Sequence, residues 1–173
     1  MDIGTHKLVI ADSPQVKNQW HQWRGPDATG VAPHANPPTE WNEDKNIRWK
    51  IEIPGRGHAS PIIWENTIFV TTTIKTGEEI LSEELDAKEN QLPGWRRNAG
   101  IPVTHALQFV VLSIDRQTGE SRWRRVARTA LPHEGTFSDG SWASPSPITD
   151  GTHVFAYFGS FGLYCYDFDG KLK

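Results

Sequence analysis

Cysteine is almost missing from this chain: Cys165 is the sole one in 173 residues. That excludes an internal disulfide and any multi-cysteine metal site. Methionine also occurs once. No apolar run approaches the roughly 18 residues of a membrane-spanning helix. Neither sign of charge dominates: 18 Lys and Arg stand against 21 Asp and Glu, a net of −3. This balance supplies neither a nucleic-acid surface nor an acidic tail. The opening MDIGTHKLVIADSPQ lacks an apolar core of signal-peptide length behind basic residues. Either the protein is not exported or its true N-terminus lies elsewhere.

What is abundant is tryptophan, with eight residues, beside 15 glycines and 12 prolines. Aromatic and β-branched residues broken by frequent turn residues predict many short strands. The length suffices for one domain with a real core.

The chain repeats itself. SPIIWENTIFV (60–70) lies over SPITDGTHVFA (146–156) without a gap, 86 residues apart. LSIDRQTGESRW (112–123) lies over YCYDFDGKLK (164–173), Asp115 on Asp167 and Gly119 on Gly170, with one residue less in the second turn. NIRW (46–49) echoes ESRW (120–123). The unit is a Ser-Pro strand, a tight turn, two apolar strands ending in Asp, a Gly turn and a Trp strand. Segments 75–104 and 128–142 show no strand pattern; without them the spacing is about 41 residues, the size of a four-stranded propeller blade (~40–45). By this pattern the residue after Lys173 is expected to be tryptophan.

Strands are expected at 62–64, 68–74, 107–115 and 121–126, then at 146–149, 154–159 and 163–167, with a further strand at 47–53. WENT, DRQTGE, TDGT and DFDG carry turn residues. A short helix is expected over EEILSEELDAK (78–88). The fold class expected is all-β: a β-propeller of four-stranded antiparallel blades, present as an N-terminal fragment of about two blades. Residues 1–45 are read as a lead-in and 46–173 as the propeller. Blade one covers about 59–127, with insertion 75–104; blade two covers 143–173 and is incomplete. In a closed ring the strand at 47–53 would complete the last blade and remove an open edge. Fewer than about three units leave a repeat array with open edges, so the 173 residues alone are expected to aggregate or to melt without cooperativity.

WHQWRGPDATGVA (20–32), residues 46–74, LSIDRQTGESRWRR (112–125) and residues 143–173 resemble the pyrroloquinoline-quinone-like (PQQ-like) repeat β-propeller proteins, in particular the exported group of planctomycete-type bacteria. The Asp…Thr-Gly…Trp pattern is similar to the tryptophan-docking motif of quinoprotein propellers. The resemblance implies that Trp49 and Trp123 are structural, packed between neighbouring blades. Their recurrence at one repeat position points the same way.

The resemblance also implies a periplasmic or exported protein, with the remaining blades of a longer chain as partners. It leaves two functions open. One is a non-enzymatic binding or assembly scaffold in the cell envelope. The other is a PQQ-dependent, quinoprotein-type oxidoreductase whose cofactor clamp lies outside this stretch. Such enzymes use adjacent cysteines, calcium ligands and a catalytic Asp; with one cysteine and no acidic cluster of calcium type, these residues supply no such clamp. No cofactor, metal or catalytic residue is therefore assigned here.

Loops alternate between the two ends of a meander. PGRGHA (54–59), 75–104 and 128–145 should share one end, and only short turns the other. Function gathers on long loops held by a rigid scaffold. Arg56, His58, Trp142 and His133 are the binding candidates, for a protein or glycan, with Trp95, Arg96, Arg97, His105 and Asp139 nearby. Arg56 and His58 could equally cap loop backbone. His58, His105 and His133 match no metal spacing. GWRR (94–97) could grip a carboxylate or sugar, or be a solvated loop. GSFG (159–162) reads as a turn, GPDATG lacks the context of a phosphate loop, and Cys165 reads as packing within a strand.

Overall fold

The computed structural model describes residues 14–77, 79 and 100–173. The helix expected over 78–88 (apart from Glu79) and Trp95–Arg97 lie outside the described residues. After a one-turn helix, Pro14–Lys17, the described residues are nearly all strand and loop. Strands β1 (Ile62–Trp64), β2 (Thr67–Lys75), β3 (Leu107–Asp115) and β4 (Ser121–Ala130) form an antiparallel sheet in that order. Strands β5 (Ile148–Thr149), β6 (His153–Tyr157) and β7 (Leu163–Asp167) form a second, three-stranded sheet.

The first sheet is buried on both faces, which explains the unbroken apolar run at its centre. Phe69, Phe109, Val111 and Trp123 point one way and join Val154, Ala156, Phe158, Phe161 and Tyr166 in a seam between the sheets. Val70, Val110, Leu112 and Ile114 point the other way, under Trp49 and Ile53. Phe69, Ser113 and Trp123 are partners in one cross-strand row, so the pleat sends all three into the seam. The outer strand β4 carries exposed Arg122, Arg124, Arg125 and Arg128. A charged edge of this kind resists pairing with other chains.

The two Asp-Gly turns are built alike. Asp115 Oδ1 accepts the amides of Gln117 (2.7 Å) and Thr118 (3.1 Å), and its Oδ2 meets Arg122 Nη2 at 2.6 Å. Asp167 Oδ1 accepts the amides of Asp169 (3.1 Å) and Lys171 (2.8 Å), and its Oδ2 meets Lys173 Nζ at 2.8 Å. Gly119 and Gly170 both sit at φ +78°, a conformation glycine adopts without steric cost. Each glycine lies under an indole. The Trp49 N–H donates to the Arg116 carbonyl (2.9 Å) and the Trp123 N–H to that of Phe168 (2.7 Å).

Several boundaries differ from the sequence reading. Residues 47–53 form no ladder, because no strand lies beside them among the described residues. Strand β4 runs on to Ala130, since the long β3 offers partners as far as Leu107↔Ala130; the patternless segment starts later than 128. β5 begins at Ile148, after the N–H-less Pro147, and β6 ends at Tyr157, before the turn at 159–161.

The N-terminal stretch is also part of the fold. Ile63 N–H donates to Trp20 O (2.7 Å) and Thr149 N–H to His21 O (3.0 Å), so residues 20–21 bridge the first strands of the two sheets. Gln19 Oε1 accepts the amide of Glu65, and Gln15 Nε2 donates to its carboxylate. The end expected to hold only short turns therefore also carries this segment.

Candidate functional site

Strand directions put the connections 54–61, 131–147 and 158–162, and the described ends 76–77 and 100–106 of the link from β2 to β3, at one end of the two sheets and the turns at 65–66, 116–120, 150–152 and 168–170 at the other. The long connections are tied together. Arg56 pairs with Thr73 through the backbone, and its guanidinium donates to the carbonyls of Gly140 (3.1 Å) and Ser138. The His58 amide donates to Ser141 Oγ (3.1 Å) and Ala143 O (3.2 Å). Ile101 and Thr136 exchange backbone hydrogen bonds.

The four candidates do different things. Arg56 braces the 138–140 carbonyls, so much of its donor capacity is spent on the chain itself. The His58 imidazole is exposed and hydrogen-bonds to none of the described residues. The half-buried Trp142 packs against the seam and donates its indole N–H to Glu134 O (2.9 Å). His133 is exposed and stacks on Phe161, 4.7 Å between centroids and 8° from parallel. Arg56 and His58 thus meet the 138–143 loop that leads through Trp142, while His133 sits apart on the 158–162 turn. Asp139 is exposed, and His105 Nδ1 lies 2.9 Å from Thr104 Oγ1. Among the described residues no three His, Cys, Asp or Glu come together as a metal site.

Phe161 escaped the sequence reading. It is buried, stacks on Phe109 (4.5 Å) and lies beneath the Arg128 guanidinium (5.8 Å) as well as His133. Nothing in GSFG distinguishes it from a turn filler; the signal arises only when β3, β4 and the turn converge. His21 was missed likewise. It is buried edge-on to Trp64 (6.4 Å), and its Nδ1 has no hydrogen-bond partner among the described residues.

The end is chemically mixed: exposed imidazoles at His58 and His133, exposed Phe137, Arg128, and the acids Glu134 and Asp139. Such a surface suits non-covalent docking through stacking and hydrogen bonds. No known family model matches this chain, and no characterised protein matches it.

The perturbed acids lie at the opposite end, in the turns. The Arg122 guanidinium, helped by the Thr118 amide, holds Asp115 below the usual carboxylate range. Lys173, helped by the Lys171 amide, does the same for Asp167. At Asp150 burial pushes upward, but the His153 and Thr152 amides outweigh it and the net shift is downward. A lowered folded-state value adds stability that is present above the unfolded value and lost as pH falls through the folded one. Thermal melts are therefore expected to lose midpoint steadily below about pH 4 to 5. Asp115→Asn should be less stable at neutral pH and show a shallower acid decline. A wild-type midpoint flat through that range would contradict this.

Proposed function

We propose that this chain is a PQQ-like repeat protein of propeller type. In this reading it is a non-enzymatic binding or assembly scaffold of the cell envelope, holding a protein or glycan at its long-loop end. One observation carries the reading: among the described residues, two packed sheets send the long connections to the same end, where Arg56 and His58 tie residues 54–59 to 138–143. The repeated seating of Trp49 on Gly119 and Trp123 on Gly170 supports the repeat unit itself.

Binding would rest on side chains that keep exposed surface at this end. His58 offers an unengaged imidazole, His133 a stacked one, and Trp142 a half-buried indole. Arg56 acts as the brace that sets the loop. A rigid frame lowers the entropy lost on docking.

The test is a surface-binding screen of oligosaccharides and envelope-protein extracts. Hits are then measured against His58→Ala, Trp142→Ala and, at the short-turn end, Gln117→Ala. His58→Ala and Trp142→Ala are expected to weaken binding about tenfold or more, and Gln117→Ala to leave it unchanged. The reverse pattern would overturn the assignment. Stoichiometric uptake of pyrroloquinoline quinone, followed by its absorbance, would count for an oxidoreductase instead.

A further inference from the structure

Four arginines line β4, and three of them spend donors on the chain itself. Arg122 pairs with Asp115, Arg124 donates to Gln108 Oε1, and Arg125 donates to the carbonyl of Gly170. Arg128 is the exception. Among the described residues its exposed guanidinium makes no hydrogen bond and no ion pair. It lies instead over the Phe161 ring, 5.8 Å from the centroid. Arg128 stands opposite Phe109 in the β3–β4 ladder, and opposed residues share a face, which brings both to that ring.

Phe161 is layered with two further rings. It stacks on Phe109 (4.5 Å, 29°) and on His133 (4.7 Å, 8°). Exposure rises along this series: Phe109 is 0% exposed, Phe161 5%, and His133 is open to solvent. The imidazole is therefore the outermost layer, and it hydrogen-bonds to none of the described residues. The frame beneath is firm. In the turn that carries Phe161, the Phe158 N–H donates to Gly162 O (2.9 Å) and the Tyr164 hydroxyl donates to Phe161 O (2.9 Å). The buried Pro132 directly precedes His133. All of these residues belong to the two described sheets and the links beside them, so the cluster needs no further blade to be assembled.

We propose that Arg128 and His133, seated together on Phe161, form a subsite for an acidic sugar, a uronate unit of a glycan. The proposal rests on the scaffold reading above and gives its ligand a chemistry. A guanidinium laid on an aromatic face holds its planar fork in place, and that fork matches a carboxylate through two parallel N–H donors. Such a charge-assisted pair is about twice as strong as a neutral hydrogen bond. A neutral imidazole carries one donor and one acceptor, which suits a sugar hydroxyl. Both groups sit on the same ring, so one small ligand reaches both. A uronate engages the pair, because its carboxylate and hydroxyls are fixed on one ring. An Asp or Glu side chain would take the fork and leave the imidazole idle, which favours the sugar over an acidic peptide.

The probe is trigalacturonate, titrated into the 173-residue chain and followed by NMR at the Arg128 Nε–H and the His133 ring protons. Its methyl ester keeps every hydroxyl and loses the charges; tetraglutamate keeps charges and loses the sugar. Trigalacturonate is expected to shift both residues at millimolar concentration, and the ester to bind at least about tenfold more weakly. Arg128→Lys keeps the charge without the fork and should also weaken binding about tenfold. His133→Phe keeps the stack without the ring nitrogens and should weaken it too. Arg124→Ala, which removes an equal charge from the same strand, should leave binding unchanged. A thermal transition like that of the parent chain checks that each variant is folded. The proposal is overturned if trigalacturonate shifts neither residue, if the ester binds as tightly, or if Arg128→Lys binds like the parent. Tetraglutamate binding more tightly than trigalacturonate at Arg128 also overturns it, in favour of an acidic peptide. The scaffold reading fails on different data: hits of the broader screen that respond to Gln117→Ala and not to His58→Ala or Trp142→Ala, whatever Arg128 does.

Discussion

Trp123→Ala is expected to cost about 3–5 kcal/mol, the range for truncating a buried large aromatic. The indole is 8% exposed and stands in the seam, 5.9 Å from the Phe69 ring and 6.0 Å from that of Tyr166. It covers Gly170, and the Arg125 guanidinium lies over it at 5.6 Å. Removing it opens the joint between the two sheets and leaves the Phe168 carbonyl without its donor. Domains are typically stable by about 5–15 kcal/mol, so this single loss is a large share. Trp49→Ala removes a half-buried ring with a similar hydrogen bond and should cost clearly less. Denaturant unfolding of both variants gives the comparison. Equal losses would mean that the seam is not where the stability lies.

The second large effect is expected at Gly170. Its φ of +78° disfavours any side chain, and a Cβ there would lie 2.8 Å from Trp123 Cδ2 and 3.1 Å from Arg125 Nε. Gly170→Ala therefore combines left-handed strain of about 1–2 kcal/mol with overpacking of about 1–3 kcal/mol. Gly159 separates the two contributions. It sits at φ +60° with nothing within 4 Å of the added carbon, so Gly159→Ala should carry the strain alone. If the two variants lose the same stability in denaturant unfolding, the indole does not press on Gly170.

Much of the β architecture was legible because it is written in local chemistry. The run 107–115 is apolar on both parities, and it becomes a strand with both faces covered. Asp115 and Asp167 each open a turn closed by a glycine, Gly119 and Gly170, and the hydrogen bonds of the two turns repeat in space. What escaped depends on company. IRWKIEI has a clear strand pattern, but a ladder needs a neighbour, and pattern does not supply one. Trp20 and His21 read as a lead-in, yet their carbonyls serve the first strands of both sheets. Phe161 acquires its role only from Phe109, Arg128 and His133, brought from three separate stretches. Arg56 was legible as either brace or ligand group, and its two carbonyl partners make it a brace.

Trp49 and Trp123 lie face-on over Gly119 and Gly170, the glycines of the two Asp-Gly turns. Proton NMR reads this directly, because an indole ring current shifts α-protons held over its face. Gly119 and Gly170 α-protons are expected well upfield of ordinary glycine positions, with cross-relaxation to the ring protons of Trp49 and Trp123 respectively. Trp123→Ala should return the Gly170 signals alone to the ordinary range. Unshifted glycine signals with no contact to either indole would contradict the claim.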